Sequence, residues 1–331
     1  MSASIKLNGF DLSHFFKIII TAAILGECLF PVYAKGDYPS IKGLSVLTFN
    51  TGNLKQFGID VVPCVDERLP IQVREVEKAL LSFQSRGRVG AALLQEVWTK
   101  EAFDGYRLIA LNNGWDIYPK TYLEVEKSGI VNISTAKIIR SRKIEFFRDV
   151  SKRGILESTI VINGKTVKLA NTHTEFSPQS GLTPNHSYQL YKINSYLRSV
   201  RGNEYVVLGG DFNIGSEELS SARSEREIWE EYVLNGAGHM MHLKGFTSDS
   251  TWSYSKNTLV SNPSKIIKVI YSENGGWEKF DANYDHIFSS AKFTPMHTSL
   301  IFNSPIYGVS CEDRDQIFLS DHFGVLTHLS L

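Results

Sequence analysis

The stretch Val206-Val207-Leu208-Gly209-Gly210-Asp211-Phe212-Asn213 joins an apolar run typical of a β-strand to a carboxylate and an amide. Asp211 and Asn213 stand one residue apart, so in an extended segment their side chains point the same way. Near the other end of the chain, Leu319-Ser320-Asp321-His322-Phe323-Gly324-Val325 places an Asp-His pair directly before a second apolar run. Carboxylate, amide and imidazole groups together are suited to handle phosphate, water and protons. We therefore expect a fold that brings these two stretches to one polar site.

The composition is that of a folded protein without a strong electrostatic preference. Of the 331 residues, 42% are hydrophobic and 21% are charged, which is ordinary for a globular chain and excludes a disordered one. Lys and Arg total 35, and so do Asp and Glu. A chain with no net charge lacks the global field that draws proteins to the nucleic-acid backbone, although a local basic groove stays open as an alternative.

The first 34 residues have the layout of a secretory signal peptide. Two lysines precede an apolar run over residues 18–30, and a small residue, Ala34, follows. The run is shorter than the roughly 20 residues that a membrane-spanning helix needs. We predict a signal peptide over residues 1–34, with an uncleaved anchor or an ordinary buried helix as alternatives. The remainder, residues 35–331, is predicted to be a single domain of a secreted or periplasmic protein.

Removal of that segment would leave Cys64 and Cys311 as the only cysteines. An even pair suits a disulfide in an oxidising compartment, and a bridge across so long a loop would contribute about 4 kcal/mol. Two unrelated thiols are the alternative, and the sequence leaves both open.

Short β-type runs alternate with amphipathic stretches from Gly43 onward, without repeats or a linker. Helices are predicted over residues 71–84 and 186–200, where apolar residues recur at helical spacing, and Asn163-Gly164 predicts a hairpin turn. Strands are predicted over residues 44–50, 90–96, 129–134, 143–148, 155–162, 166–172, 205–211, 284–288 and 323–329. Two packed sheets flanked by helices would bury both sets of apolar side chains.

Six of the strand-like runs end in, or are followed by, a residue that can hold a metal or transfer a proton. These residues are Asn50, Glu96, His173, Asp211 with Asn213, Asp285, and Asp321 with His322. They belong to an ordered series of motifs: Thr48-Phe49-Asn50, Leu94-Gln95-Glu96-Val97-Trp98, Ser128-Gly129-Ile130, Thr172-His173-Thr174, Gly210-Asp211-Phe212-Asn213, Tyr284-Asp285-His286-Ile287 and Ser320-Asp321-His322. The series resembles the endonuclease/exonuclease/phosphatase superfamily, the group related to DNase I. The resemblance covers most of residues 43–331 and implies a four-layer α/β sandwich, with two packed, mostly antiparallel sheets between helices.

The resemblance assigns metal binding to Glu96, Asn50 and Asp321. Glu96 offers a hard oxygen ligand and Asn50 a neutral carbonyl oxygen, and Mg²⁺ favours one or two carboxylates together with waters and substrate phosphate. We expect Mg²⁺ as the cofactor, with Mn²⁺ or Co²⁺ able to replace it. A glutamate at a strand end would otherwise be a solvated surface group.

The resemblance also divides catalysis among five polar residues. His322 would accept a proton from the attacking water, as an imidazole can near neutral pH, and Asp285 would orient its ring. Asp211 would position the water, and Asn213 would donate a hydrogen bond to a phosphate oxygen. His173 would stabilise the negative charge of the transition state by donating another hydrogen bond.

Two stretches favour the neutral sphingomyelinase branch of the superfamily. Residues 149–156 are similar to a stretch of that branch that has a Lys-Gly pair before an apolar strand, and residues 320–325 are similar to its close. In this chain Arg153 precedes the glycine and Lys152 stands one place earlier. Either residue could therefore contact the substrate phosphate.

These features predict a Mg²⁺-dependent phosphodiesterase that hydrolyses sphingomyelin or a related phospholipid and releases the phosphorylated headgroup. Its partner would be a phospholipid surface, which Trp252, Tyr254 and Trp277 could meet, with neither a stable nucleic-acid partner nor an obligate protein partner. One alternative is a secreted DNase I-like endonuclease with a groove lined by Lys55, Arg140, Arg142, Lys143 and Arg153. The other is a catalytically inactive binding protein, for which loss of Glu96 or His322 would be the mark; both are present.

Overall fold

The structure, a computed structural model, describes residues 41–56, 58–146, 152–176, 182–215, 225–243, 250–264, 281–309, 311, 314 and 316–331. They all belong to one unit, Ser40–Leu331. Both Trp277 and the segment predicted as a signal peptide lie outside the described residues and remain predictions. Within the described part of the chain, no helix combines the length and the apolar character that a membrane span requires.

Strands and helices alternate along the described chain much as the sequence predicts. The strands are β1 Leu44–Asn53, β2 Lys55–Gln56, β3 Ile59–Asp60, β4 Val89–Val97, β5 Asp116–Tyr118, β6 Val131–Ser134, β7 Ile138–Glu145, β8 Gly154–Ile162, β9 Lys165–His173, β10 Tyr205–Asp211, β11 Met240–His242, β12 Trp252–Ser253, β13 Asp281–Ala282, β14 Asp285–Ser290, β15 Thr294–Ile301 and β16 Gly324–Ser330. The helices are α1 Val65–Ser85, α2 Lys100–Asn112, α3 Tyr122–Val125, α4 Pro184–Ser199, α5 Glu225–Tyr232 and α6 Thr258–Ser261, with a 3₁₀ turn at Leu234–Gly236. Each predicted strand overlaps an observed one, and β10 has the predicted bounds.

Two six-stranded sheets form the centre of the domain. Sheet A has the order β15-β16-β1-β4-β6-β5, and sheet B has the order β11-β14-β10-β9-β8-β7. Each sheet contains one parallel pair, β1 with β4 and β9 with β10, while the other neighbours are antiparallel. Helix α1 lies between the strands of the first pair in the chain, and α4 between those of the second, as the crossover that parallel strands require. The prediction of mostly antiparallel sheets is thereby confirmed.

Helices cover the outer face of each sheet. Helices α1 and α2 pack on sheet A through residues such as Val76 and Phe103, and α4 and α5 pack on sheet B through residues such as Leu190 and Trp229. A third apolar cluster lies between the sheets. The four-layer sandwich implied by the resemblance is confirmed. Because both faces of β1 are covered, all of its residues are buried, including the polar Ser45 and Thr48.

The two sheets approach closely beneath the polar strand ends. A Cβ atom on Gly209 would lie 2.9 Å from Cδ1 of Leu93 in the other sheet, so glycine permits this spacing. Beside it, Gln95 Nε2 donates a hydrogen bond to Asn171 Oδ1 at 2.7 Å, and Asn171 Nδ2 donates to the Leu94 carbonyl at 3.0 Å. These buried amide contacts fix one sheet against the other at the point where the strand ends meet.

Helix α1 begins at Val65, six residues before the predicted start at Ile71. Pro70 lies inside the helix, where it removes one backbone hydrogen bond. The added turn contains Arg68, whose buried side chain makes several hydrogen bonds described below. Helix α4 begins at Pro184, and its N-cap Thr183 accepts a hydrogen bond from His186 N–H at 3.0 Å.

The sequence prediction missed helices α2, α3, α5 and α6 and strands β2, β3, β5, β11, β12, β13 and β15. Helix α2 carries a detectable signal, because its buried residues recur at helical spacing, but Gly105 and its polar exposed face hide it. Strand β15 lies at the edge of sheet A, is mostly exposed and contains Pro295, all of which weaken a strand pattern.

Candidate active site

The topology brings the polar strand ends to one edge of the sandwich. Asn50 and Glu96 lie near the carboxyl ends of the parallel strands β1 and β4, and His173 is aligned with Asp211 at the ends of β9 and β10. Asp211 is also aligned with Asp285 of β14. The residues open into a cleft of about 280 Å³ that is lined by Asn50, Leu54, Val61, Val62, Pro63, Glu96, Arg153, His173, Phe176, Asp211, Asn213, Trp252, Leu259, Pro263, Tyr284, Asp321 and His322. The cleft therefore has a polar floor and an apolar wall. The floor contains Glu96, Arg153, His173, Asp211, Asn213, Asp321 and His322, and the wall contains Val61, Val62 and Leu259.

His322 is held by a buried carboxylate. Its Nδ1 lies 2.7 Å from Asp285 Oδ2, and its Nε2 lies 3.8 Å from Asp211 Oδ2. Burial lowers the pKa of His322, but the charges of Asp285 and Asp211 outweigh burial and hold that pKa well above its usual range. Since Asp285 engages Nδ1, Nε2 is the nitrogen that can exchange a proton within the cleft. Thr251 Oγ1 accepts hydrogen bonds from the Asp285 and Tyr284 backbone N–H groups and so supports the carboxylate.

His173 lies in the same cleft in a different environment. Its Nε2 is 3.7 Å from Asp211 Oδ2 and 3.8 Å from Glu96 Oε1, and its Nδ1 has no hydrogen-bond partner among the described residues. Burial, with the nearby charge of Arg153, lowers the pKa of His173 well below its usual value. The ring is therefore neutral near pH 7 and offers one N–H donor.

Glu96 has a backbone conformation that is uncommon for a side chain other than glycine. Its φ is 56°, in the left-handed region, where a residue is strained unless its surroundings hold it there. Burial raises the pKa of Glu96 to about 8, and the nearby charge of Asp321 adds to that rise. Two carboxylates that repel each other in one cleft are a donor set suited to a divalent cation, and their hard oxygens fit Mg²⁺.

The position of the Asp321 carboxylate requires a glycine at position 52. Ser320 Oγ donates a hydrogen bond to Asp321 Oδ1 at 3.0 Å. Gly52 has a φ of 57°, and a Cβ atom there would lie only 2.6 Å from the same Asp321 oxygen. A side chain at position 52 would therefore displace the carboxylate from the cleft.

The side chain of Asn50 is hydrogen-bonded within the site, and its predicted role as a metal ligand stays a prediction. Its Nδ2 donates a hydrogen bond to Asp211 Oδ2 at 2.9 Å, and its Oδ1 accepts one from Gly52 N–H at 3.0 Å. This buried amide supports Asp211, and its oxygen keeps a second lone pair. Burial raises the pKa of Asp211 to about 7, although His322 opposes that rise.

A group of three buried residues, Asp211, Asp285 and His322, has its ligand atoms within 4.8 Å of one another. By ligand type the group could hold a divalent cation. Asp285 and His322 are already hydrogen-bonded to each other, however, and Mg²⁺ prefers oxygen to imidazole ligands. The group therefore fits proton transfer better than it fits magnesium binding.

Hydrogen bonds fix the loop after β10, one from its Asn213 side chain and two to its own carbonyls. Asn213 has a φ of 47° and donates its amide to the Thr174 carbonyl at 3.0 Å. His186 Nε2 lies 3.1 Å from the Phe212 carbonyl, and His286 Nε2 lies 2.9 Å from the Ile214 carbonyl. His286 thus faces away from its neighbour Asp285, as side-chain alternation along a strand requires. Both histidines position the loop that carries Asp211 and Asn213.

The structure distinguishes the two basic residues between which the sequence left a choice. Arg153 lines the cleft and donates a hydrogen bond to the Thr174 carbonyl, whereas Lys152 is exposed and is not part of the lining. Arg142 pairs with Glu157 at 2.8 Å, away from the cleft. Among the described residues, Arg153 is the one lysine or arginine of the proposed basic groove that reaches the floor.

Arg68 was not recognised from the sequence. It is fully buried behind the cleft, and its guanidinium donates to the carbonyls of Pro63, Thr51, Gly52 and Leu319. Burial lowers the pKa of Arg68 to about 10, while the nearby charge of Asp321 opposes that fall. The signal was present: Arg68 and Gln72 continue the spacing of Val76, Leu80 and Phe83 on the buried face of α1.

The apolar wall is stabilised by a disulfide. Cys64 and Cys311 are bonded, which resolves the choice that the sequence left open. Their cluster includes Val62 and Leu259, which line the cleft. Cys64, Cys311 and Glu67 also lie together as possible metal ligands, but disulfide sulfurs are not thiolates, so this group fits no metal site.

Comparisons with known proteins agree with this fold. No protein-family model matches the chain, and no curated protein matches it either. Among solved structures, D. rerio TDP2 complexed with single strand DNA product aligns over 87% of this chain and 99% of its own, with 18% identity and a TM-score of 0.59. Beta toxin from Staphylococcus aureus aligns over 86% and 99%, with 16% identity and a TM-score of 0.56. Sphingomyelinase C from Streptomyces griseocarneus aligns over 86% and 98%, with 18% identity and a TM-score of 0.54.

The chain therefore shares the fold of these three structures, a DNase I-like α/β sandwich. The resemblance drawn from the seven motifs is confirmed at the level of the fold. At identities this low the likeness concerns the fold alone, so activity and substrate depend on the chemistry of the cleft.

Proposed function

We propose that this protein is a divalent-metal-dependent phosphodiesterase that hydrolyses sphingomyelin or a related phospholipid and releases the phosphorylated headgroup. The observation that carries the proposal is the convergence of His322, paired with Asp285 at 2.7 Å, and the Glu96 carboxylate in one cleft. A base, an acidic metal ligand and hydrogen-bond donors in one cleft are what phosphodiester hydrolysis requires.

His322 is the general base of the proposal. Asp285 holds its ring so that Nε2 points into the cleft, where it can take a proton from water. Asp211, 3.8 Å from that nitrogen, orients the water. Proton transfer from water to Nε2 requires a neutral ring, so activity should rise with pH through the pKa of His322.

His173 and Asn213 are the hydrogen-bond donors. Both residues line the floor beside Asp211. The ring N–H of His173 and the second N–H of the Asn213 amide, whose first is donated to the Thr174 carbonyl, would bind the phosphoryl oxygens as negative charge develops. The lowered pKa of His173 keeps its ring a neutral donor, while Arg153 adds positive charge nearby. Lys152, exposed outside the lining, is not given a role in substrate binding.

Glu96 and Asp321 would hold Mg²⁺, and Mn²⁺ or Co²⁺ could replace it. The cation would supply Lewis-acid polarisation of the phosphoryl group and stabilisation of the departing alkoxide. Asn50 supports the site through Asp211 and Gly52.

The composition of the cleft supports a lipid over a nucleic acid. Its wall is apolar, with Val61, Val62 and Leu259, and Arg153 is its one arginine or lysine among the described residues. A polyanion needs several phosphate contacts, which one cation does not provide. The likeness to a TDP2 structure with bound single-strand DNA keeps a secreted DNase I-like endonuclease as the second candidate. An inactive binding protein is disfavoured because Glu96 and His322 are both present in the cleft.

A secreted or periplasmic location belongs to the same proposal. The bond between Cys64 and Cys311 supports an oxidising compartment. The proposed partner is a phospholipid surface, without a stable nucleic-acid or obligate protein partner.

The proposal is tested by parallel assays of the purified full chain on sphingomyelin, a lysophospholipid and plasmid DNA, each with Mg²⁺ and with a chelator. We expect phosphocholine release from sphingomyelin that stops with the chelator. Cutting of plasmid DNA with inert lipids would establish the endonuclease instead, and no hydrolysis of any substrate would favour the binding protein.

A further inference from the structure

Side chains from two separate elements hold the two carbonyl groups that precede Asp321. The Leu319 carbonyl accepts a hydrogen bond from Arg68 Nη1 of α1 at 2.6 Å. The next carbonyl, on Ser320, accepts a hydrogen bond from Asn257 Nδ2 at 2.8 Å. Asn257 directly precedes α6 and lies 63 residues away in the sequence. The backbone that leads to Asp321 is therefore fixed by contacts from outside its own segment.

Asn257 is fully buried, and both ends of its side-chain amide are hydrogen-bonded. Its Oδ1 accepts a hydrogen bond from Leu259 N–H at 3.0 Å and so caps the first turn of α6. A cap needs only an oxygen, which serine or threonine would also supply. The amide nitrogen that donates to Ser320 is therefore the part of Asn257 that capping does not explain.

The Ser320 carbonyl fixes the direction in which the Asp321 side chain leaves the backbone. A peptide group is planar, so an anchored carbonyl also fixes the N–H of the following residue, which here is Asp321. The Asp321 carboxylate fits closely beside β1, because a Cβ atom on Gly52 would lie 2.6 Å from its Oδ1. Rotation of the Ser320–Asp321 peptide would therefore turn the carboxylate out of its place in the cleft.

His322, the next residue, has anchors of its own. Its Nδ1 lies 2.7 Å from Asp285 Oδ2. The N–H of the following Phe323 donates a hydrogen bond to the Thr251 carbonyl at 2.7 Å. Release of the preceding carbonyl would therefore disturb the Asp321 carboxylate more than it disturbs the base.

We propose that Asn257 is a positioning residue for the divalent-cation site, whose amide holds the Ser320–Asp321 peptide and thereby keeps the Asp321 carboxylate in the same cleft as Glu96. This inference rests on the proposed function, in which those two carboxylates hold the cation. The competing explanation is that Asn257 only caps α6. Any residue with a capping oxygen would then replace it without an effect on the cation.

The test separates the two uses of the side chain. Asn257→Ser keeps a capping oxygen but loses the amide that donates to Ser320, whereas Asn257→Ala loses both. Binding of Mn²⁺ to the full chain, without substrate, is measured by electron paramagnetic resonance of the free ion. We expect both substitutions to raise the Kd for Mn²⁺ by about 10-fold, because the contacts that orient a metal ligand contribute to metal affinity. Asn257→Ala should also lower the midpoint of urea unfolding further than Asn257→Ser does, since it removes the cap.

A kinetic measurement shows whether the effect concerns the cation. With saturating Mg²⁺, kcat of Asn257→Ser on sphingomyelin should stay within about threefold of the native value. The Mg²⁺ concentration that gives half of the maximal rate should rise in proportion to the Kd. A general distortion of the cleft would instead lower kcat strongly at every Mg²⁺ concentration, and that result would overturn the inference.

Asn262→Ser is the matched control, because Asn262 is an exposed residue at the other end of α6 and its loss should leave the Kd unchanged. If Asn257→Ser binds Mn²⁺ as tightly as the native protein, Asn257 is only a cap and the inference is wrong. If Asn257→Ser does not fold, the Kd of Asn257→Thr decides, since threonine also caps a helix and its methyl group fills part of the vacated space.

Failure of the proposed function gives a different result. Glu96→Gln removes a proposed metal ligand and should weaken Mn²⁺ binding. A native affinity that does not depend on Glu96 would overturn the metal-dependent function and this inference together. Loss of affinity in Glu96→Gln but not in Asn257→Ser would overturn the inference alone. Hydrolysis of plasmid DNA instead of lipid would change the substrate, and the Mn²⁺ titration, which contains no substrate, would still decide the role of Asn257.

Discussion

The two sides of the cleft floor each carry a buried histidine, and the pKa values of the two rings shift in opposite directions. On one side His322 contacts Asp285 at 2.7 Å, and its pKa is raised; on the other side His173 has Arg153 nearby and no partner at Nδ1 among the described residues, and its pKa is lowered. Both rings are buried, so burial alone does not explain the difference. The neighbouring charge decides which imidazole can act as a base and which stays a neutral donor.

The topology explains how this contrast arises. His173, Asp211 and Asp285 lie in register at the ends of three neighbouring strands of sheet B. His322 precedes β16 of sheet A and reaches across to Asp285. A hydrogen bond between the two sheets thus creates the base, whereas the carboxylates nearest to His173 Nε2, on Asp211 and Glu96, lie 3.7 Å and 3.8 Å away.

The largest expected effect is on the His322 side. We expect His322→Ala to lower kcat by about 10⁴-fold, because the group that takes the proton from water is lost. Steady-state hydrolysis of sphingomyelin measures the effect, with circular dichroism as the check on folding. His297→Ala, which removes an exposed histidine of β15, is the control and should leave kcat unchanged. A kcat of His322→Ala within tenfold of the native value would show that His322 is not the general base and that both histidines serve only as hydrogen-bond donors.

Removal of the orienting carboxylate should come next. Asp285→Asn is expected to lower kcat by about 10³-fold and to shift the acidic limb of the pH profile to lower pH. The sign follows from the structure: Asp285 raises the pKa of His322, so without that charge the ring loses its proton at lower pH. The measurement is kcat/KM against pH.

Asp104→Asn, a change to an exposed carboxylate of α2, controls for the general loss of a negative charge. An acidic limb that stays in place in Asp285→Asn would mean that His322 is not the titrating group.

Arg68 donates hydrogen bonds to the Leu319 and Gly52 carbonyls and so stabilises the segments beside His322 and Asp321. Arg68→Met should lower the free energy of unfolding by about 3 kcal/mol, because buried carbonyl oxygens lose their donors. Urea denaturation measures it, and Arg74→Met, on the exposed face of the same helix, should change stability by less than about 0.5 kcal/mol. Equal changes in the free energy of unfolding for the two substitutions would show that the buried hydrogen bonds of Arg68 do not stabilise the fold.

The smallest effect is expected on the His173 side. His173→Ala should lower kcat by about 10²-fold, and His173→Gln should recover part of that loss because its amide keeps an N–H donor. Since the pKa of His173 is lowered and the ring is neutral near pH 7, neither change should alter the shape of the pH profile. A displaced acidic limb would mean that the two histidines share the proton.

Local patterns were sufficient to predict the strand ends. Tyr205–Asp211 has the predicted bounds, and His286 turns away from Asp285 as alternation requires. Local sequence encodes these features, because strand periodicity and the residue that follows an apolar run do not depend on the remainder of the fold.

Long-range contacts account for what the sequence did not predict. The orientation of Asn50 depends on Asp211, and the place of Trp252 beside His322 depends on a bridge between distant segments. The disulfide joins residues 247 positions apart, which a count of cysteines leaves undecided. Arg68 continues the buried spacing of α1, but the carbonyls to which it donates belong to other segments, which that spacing does not reveal.

The central claim is that side chains from both sheets form one active site around a divalent cation that Glu96 and Asp321 hold. The most direct test is an anomalous-difference map from crystals of the protein grown with Mn²⁺. The account predicts one strong peak in the cleft, in contact with the Glu96 carboxylate and on the same floor as His322 and His173. A cleft without a peak, or Mn²⁺ bound elsewhere with Glu96 untouched, would contradict it.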